Sequence, residues 1–136
     1  RVSAAPLVVC LFFRGPRQRC IRDRGQVALE ALALIEQARG GSLTVEQMRG
    51  ATFTITNLGA HGVDTFTPII SLPQSSILGL GAIRREPVVD GNEIVPRDMM
   101  SLSLTFDHRT VDGAPAAKFL NALSRCVEQP SPWLMG

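Results

Sequence analysis

The chain has 136 residues, room for one domain with a real core, and its 45% apolar and 19% charged content is globular, which excludes disorder. Net charge is +2 and nearly balanced outside a basic run at Arg14–Arg24, which argues against a nucleic-acid surface. Cys10, Cys20 and Cys126 have no paired spacing and His61 and His108 are the two histidines, so neither a disulfide framework nor a zinc or His-rich metal site is expected.

The first residue is Arg1 rather than Met, and the expectation is a fragment or a processed product. Ala4–Phe13 imitates a signal peptide but is too short to span a bilayer. Pro6–Phe13 is instead read as a buried strand, since its apolar run is continuous. Arg14–Arg24 carries Gly15 and Pro16 without a period and reads as loop. Gln26–Arg39 has the helical period, with Val27, Leu29, Leu32, Ala33, Ile35 and Ala38 on a broad apolar side, and Gly40-Gly41 ends it. Thr44 and Gln47 form a capping-box pattern that predicts a short helix to about Arg49.

Thr52–Asn57 alternates, with Phe53 and Ile55 on one face and Thr52, Thr54 and Thr56 on the other. The residues to Thr65 form a sharp loop with Gly59 and Gly62. Thr67–Ser71 and Ser76–Arg84 read as short strands, the second with Gly79 and Gly81 where backbones approach closely. Pro87–Val89 and Glu93–Val95 flank Asp90-Gly91-Asn92, a hairpin signal. Met99–Phe106 alternates and reads as the central strand, and Ala114–Glu128 reads as the last helix. The tail Gln129–Gly136, with Pro130 and Pro132, is read as non-helical.

Between the last strand and the last helix stands a dense polar turn, Asp107-His108-Arg109-Thr110-Val111-Asp112-Gly113. A strand, a charged turn and a helix in succession hold a side chain rigidly at a sheet edge. A histidine there suits proton transfer, because imidazole titrates near neutrality. The plainer reading is a solvated turn with an ion pair. His108 and Asp112, four residues apart, weigh for chemistry, with Gly113 permitting a sharp turn.

This turn resembles the active-site motif of the dihydrolipoamide acyltransferases of 2-oxo acid dehydrogenase complexes. A second block agrees, Gly50-Ala51-Thr52-Phe53-Thr54-Ile55-Thr56-Asn57-Leu58-Gly59. A third runs from Phe66-Thr67-Pro68-Ile69-Ile70 through Pro73-Gln74 to Ile77-Leu78-Gly79-Leu80-Gly81. The His-x-x-x-Asp-Gly element alone is shared with chloramphenicol acetyltransferases; three blocks in order are what specify the acyltransferases. The resemblance covers about Arg39 to Val127. Residues 1–24 depart from the family pattern, as a divergent segment or a shifted reading frame, and 25–136 resemble the C-terminal half of the catalytic domain.

The resemblance implies an α/β, chloramphenicol acetyltransferase-like two-layer sandwich, a mixed, mostly antiparallel sheet with helices on one face, here as a partial domain. It implies transfer of an acyl group between a dihydrolipoyl thiol and coenzyme A, with His108 as general base and Thr56 as the oxyanion donor. Asp112 matches the family's carboxylate, which holds the loop through an ion pair; Arg109 belongs to the motif and is assigned with Asp112 to loop geometry, and Arg109 and Asn57, which flanks the donor, are expected on the substrate-binding side. Coenzyme A is then a substrate, and the lipoyl group rides on a separate domain. Expected partners are further copies, as trimers within a cubic or icosahedral core, with the decarboxylase and lipoamide dehydrogenase; neither nucleic acid nor membrane is expected. The expected location is bacterial cytoplasm or mitochondrial matrix. Two other readings stand beside this one: a truncated, non-catalytic assembly module, and a coenzyme A-dependent acyltransferase with another acceptor.

Overall fold

The computed structural model describes residues 8–9 and 24–130. Of the strand expected at Pro6–Phe13, the described part is β1, Val8–Val9. The rest of that strand, the basic loop up to residue 23, Cys10, Cys20 and the tail beyond Pro130 lie outside the described residues.

Helix α1 spans Arg24–Arg39, starting two residues before the periodic stretch. Its end follows from Gly41, whose φ of +68° a side chain would resist. Gly41 donates to the Ala38 carbonyl at 3.2 Å and Ser42 to the Gln37 carbonyl at 2.9 Å, the double closure of a Schellman end. The capping box after it also forms: the Thr44 amide donates to Gln47 Oε1 at 2.8 Å, and the Gln47 amide to Thr44 Oγ1 at 3.3 Å. The expected helix does not follow. Met48 and Arg49 donate to carbonyls three residues back, and Gly50 at φ +83° redirects the chain after a single turn.

The sheet has the order β1-β2-β3-β4. Strand β2 is Thr54–Asn57, β3 is Ser76–Asp90 and β4 is Glu93–Phe106. β1 pairs antiparallel with β2, β2 parallel with β3, and β3 antiparallel with β4, so the sheet is mixed and mostly antiparallel. The four short strands expected from Ser76 onward are thus two long ones, paired from Ser76↔Phe106 out to Asp90↔Glu93. Gly91, at φ +63°, takes the first position of the two-residue loop, as a type II′ hairpin requires. The Met99–Phe106 stretch forms the inner part of β4, which lies at one end of the described sheet and not at its centre. The strand expected at Thr67–Ser71 is absent: Pro68 lacks a ladder donor, and the Gln74 amide bonds the Ser71 carbonyl at 3.0 Å to close a turn instead.

Pairing fixes which side chains share a face. Ile55, Leu78 and Leu104 align on one side, and helix α2, Gly113–Glu128, packs there with Phe119 edge-on to Phe53 at 5.8 Å between ring centroids. Thr54, Ile77 and Thr105 align on the other, as do Thr56, Gly79 and Ser103. That face, polar in the sequence pattern, is covered by the chain between β2 and β3. Phe66 lies against Gly79, so closely that an added Cβ would be 2.9 Å from its ring. The Asp64 carbonyl occupies the space where Gly81 would carry a side chain. Both glycines therefore mark the close backbone approaches that their positions in a strand suggested. Between Leu80↔Leu102 and Ile83↔Met100 two residues of β3 oppose one of β4, a bulge. Beyond it the hairpin continues as a two-stranded arm.

Candidate active site

The polar turn begins where β4 leaves the sheet. The Asp107 amide donates to the Ser75 carbonyl at 2.8 Å, anchoring the turn to the residue that precedes β3. Its own carbonyl accepts the Thr110 and Val111 amides at 3.0 and 3.1 Å and the Thr110 hydroxyl at 3.0 Å. Its carboxylate receives Arg109 Nε at 3.0 Å, Nη2 at 2.8 Å and the Arg109 amide at 3.0 Å. The Arg109 guanidinium, and then that amide, hold the Asp107 carboxyl down to a pKa of about 2, and Asp107 in turn raises that of Arg109. Charge-assisted, two-pronged pairing of this kind fixes orientation as well as energy. The turn is thus rigid by hydrogen-bond count, not by burial.

His108 stands on this frame with its side chain 74% exposed. Its Nδ1 lies 4.0 Å from Asp112 Oδ1, and its ring is tilted at 39° over Phe106 at 5.8 Å between centroids. Asp112 caps α2 in extended conformation, its carbonyl accepting the Ala116 amide at 3.2 Å while its carboxylate makes no capping bond. That carboxylate is 84% exposed. The ion-pair partner of Asp112 among the described residues is His108, across 4.0 Å, and the shorter clamp within the turn is that of Asp107 with Arg109.

Thr56 lies on β2, 6% exposed, and is not on a wet face. Its neighbour on that face, Thr54, is fully buried and donates its hydroxyl to Gln74 Oε1. Thr56 is level with Gly79 and Ser103, three residues inward from Phe106, which puts the Thr56 and Phe106 Cα atoms on the order of 14 Å apart. No contact joins Thr56 to His108 within the chain. Asn57 accepts the Gly59 amide on Oδ1 at 2.8 Å, a local Asx turn that starts the loop. His61 sits exposed in the one-turn helix Gly59–His61.

The structure thus brings His108, Asp112, Arg109 and Asp107 together in one turn, keeps Thr56 apart, and places Asn57 one residue farther along β2, level with Leu80 and Leu102. In the sequence Asp107 stands only as part of the motif, and Gln74 carries no role of its own. The Asp-x-Arg spacing is a usable signal for the first. For the second there is none, since Gln74 and Thr54 are twenty residues apart.

The model of the family 2-oxoacid dehydrogenases acyltransferase (catalytic domain) matches residues 20–135. The dihydrolipoyllysine-residue acetyltransferase component of the acetoin cleaving system of Bacillus subtilis is 47% identical over 116 residues, covering 78% of this chain and 29% of that protein. The probable dihydrolipoyllysine-residue succinyltransferase component of the 2-oxoglutarate dehydrogenase complex, mitochondrial, of Schizosaccharomyces pombe is 48% identical over 99 residues, 73% of this chain and 22% of that protein. Among solved structures, the cubic core of the pyruvate dehydrogenase multienzyme complex superposes with a TM-score of 0.77 at 42% identity, over 81% of this chain and 45% of that chain. The Azotobacter vinelandii dihydrolipoamide acetyltransferase, in which a serine, a histidine and an asparagine were investigated for the catalytic mechanism, gives 0.77 at 43% identity with the same coverage. The chain therefore spans less than half the length of the relatives it matches.

Proposed function

This chain belongs to the 2-oxoacid dehydrogenase acyltransferase (catalytic domain) family, and from that premise we propose that it transfers an acyl group between a dihydrolipoyl thiol and coenzyme A, with His108 as general base. The observation that carries the reading is an exposed imidazole on a turn locked by the Asp107–Arg109 clamp and the Ser75 anchor. The serine, histidine and asparagine investigated in the Azotobacter enzyme are separated by the same intervals as Thr56, His108 and Asp112.

With Nδ1 toward Asp112, Nε2 is the nitrogen left for a thiol proton. It takes the proton from the coenzyme A sulfur as that sulfur forms its bond to the thioester carbonyl carbon. Negative charge then develops on the carbonyl oxygen, where the Thr56 hydroxyl is the donor. When the carbon–sulfur bond to the dihydrolipoyl arm breaks, the departing sulfur receives the proton from the imidazolium. The reverse direction uses the same groups. General-base assistance of this kind contributes roughly 10²–10⁴ in rate.

The separation of Thr56 from His108 favours a site completed by a second chain, the hydroxyl from one subunit and the imidazole from another. This fits assembly into trimers and a cubic or icosahedral core that would carry the decarboxylase and lipoamide dehydrogenase. Arg109 and Asn57, each bonded locally, shape the approach to the site, and Asp112 orients the imidazole. The lipoyl group would arrive on a separate domain, and a cytoplasmic or matrix location follows from the complex it would serve.

The test is thioester exchange between an acyl-coenzyme A and dihydrolipoamide, using the full-length assembled protein and its Thr56→Val and Thr56→Ser variants. Loss of an oxyanion donor is worth about 2.7–4 kcal/mol, so Thr56→Val should fall about 10²- to 10³-fold in kcat while the serine variant keeps most of its rate. An assembled wild type without exchange activity would leave the assembly-module reading in its place.

A further inference from the structure

Thr54 is more deeply enclosed than Thr56, yet nothing in the chemistry above uses it. It is fully buried at the first position of β2, and its hydroxyl donates to Gln74 Oε1. Gln74 is half-buried on the far side of a long loop, where its own amide closes the turn onto the Ser71 carbonyl at 3.0 Å. The next residue, Ser75, gives its carbonyl to the Asp107 amide at 2.8 Å. Gln74 and Ser75 are thus tied by consecutive residues to the strand that carries Thr56 and to the turn that carries His108.

Among the described residues, β2 is four residues long, with Val8–Val9 of β1 on one side and β3 on the other. Thr54 and Thr56 are two apart and so share a face, which means that whatever sets the depth of one sets the depth of the other. On the Thr54 side, that is the Gln74 side chain. At the turn, Arg109 locks the residues to one another, but the Ser75 carbonyl ties Asp107 to the start of β3.

We propose that Gln74 is a positioning residue, which through its hydrogen bond to Thr54 holds β2 and the His108 turn in register with each other. This rests on the acyltransferase reading. Gln74 touches no reacting atom in it; its effect is on where the Thr56 hydroxyl and the imidazole stand. Misplacement by an ångström costs on the order of 10²-fold in rate even when it originates away from the chemistry. Only the acceptor oxygen of the amide is used toward Thr54, so glutamate preserves the bond and methionine removes it with little change of shape.

The experiment uses the full-length assembled protein with Thr54→Val, Thr54→Ser, Gln74→Met, Gln74→Glu and the Thr54→Val/Gln74→Met pair. The valine and methionine variants should each lose roughly 10- to 100-fold in kcat, with KM for coenzyme A unchanged. The double variant should fall no further, because both changes remove one bond. Thr54→Ser and Gln74→Glu should recover most of the rate. Alongside, amide exchange of the peptide covering 102–113 should quicken in Thr54→Val, a residue that does not touch that turn. Wild-type kcat in the assembled methionine variant, additive losses in the double variant, or a loss confined to KM would each overturn the proposal. An assembled wild type without transfer activity would sink the acyltransferase reading, and a Thr56→Val variant that keeps its rate would remove Thr56 as the oxyanion donor whose placement Gln74 is held to set. Unchanged exchange of the turn in Thr54→Val would overturn the coupling whatever the assay gives.

Discussion

The Asp107 amide donates to the Ser75 carbonyl at 2.8 Å and its carboxylate accepts Arg109 Nη2 at 2.8 Å, so the residue just before His108 is held through its backbone and its side chain. The first bond ties the turn to the start of β3, and the second closes it upon itself. The carboxylate contribution depends on pH with a definite sign. The Asp107 carboxyl is depressed to about 2, below its usual value near 3.9, so its stabilisation is complete above about pH 4 and is lost as pH falls through about 2.

Asp107→Asn should therefore destabilise the turn by the same amount across roughly pH 5 to 8, and the gap from wild type should close toward about pH 2. Amide exchange of the 102–113 peptide as a function of pH reads this directly. A gap that widens on acidification would mean that a group with a raised pKa holds the turn.

His108→Ala should lower acyl exchange by roughly two to four decades in the full-length protein, with assembly unchanged. Its side chain is exposed and makes no buried contact, so its loss has little structural cost. Sedimentation of the variant beside the exchange assay separates the two effects. Near-normal turnover in a correctly assembled variant would remove the general-base role.

For Asp112 the structure predicts a mild change. Its only described partner is His108 at 4.0 Å, and both side chains are largely in solvent. Exposed pairs of that kind contribute about 0–1 kcal/mol. Asp112→Asn should change unfolding stability, read from thermal melts, by no more than about 1 kcal/mol and lose less than about tenfold in rate. A loss of several kcal/mol would show that another segment or subunit seats an arginine or lysine on this carboxylate.

Much of this was legible in the sequence because the signals were local. The alternation of Leu102, Leu104 and Phe106, the Gly40-Gly41 stop and the Gly91 turn each depend on neighbours within a few residues. The burial of Thr54 and Thr56 was not legible, since an alternating Thr face reads as wet until a distant loop is known to cover it. The turn after Thr44 formed its box but not its helix, because a backbone that reverses at Gly50 leaves room for one turn only. The place of β4 at one end of the sheet was equally hidden: periodicity gives a strand its faces but not its neighbours.

Gly81 supplies a stability test for that covering loop. A Cβ there would overlap the Asp64 carbonyl, and the neighbouring Ala82 amide already donates to Val63 at 2.8 Å, so the loop backbone has no slack. Gly81→Ala should destabilise the protein by about 1–3 kcal/mol or more. Thermal melts of the variant check this, and a neutral result would show that the 62–64 segment can lift from the sheet without loss.

The 136-residue chain by itself should associate and should be a poor catalyst. The hairpin arm beyond the bulge is two-stranded, and a hairpin of that kind is marginal in water without a further layer. It carries Ile83, Val89 and Ile94 at 70%, 71% and 74% exposure, and α1 shows Leu29 at 69%. Apolar side chains displayed together invite contact with other copies. A site that draws Thr56 and His108 from different subunits would in addition need the ordered trimer, which indiscriminate association does not supply. Size-exclusion chromatography of the isolated chain, followed by thioester exchange on each fraction, tests both statements. The expected result is a broad, early-eluting distribution with little turnover, shifted toward monomer by Ile83→Thr with Ile94→Lys. A monomer that exchanges acyl groups as fast as the assembled protein would show that one chain builds the whole site, and the placement of Thr56 and His108 on different subunits would be wrong.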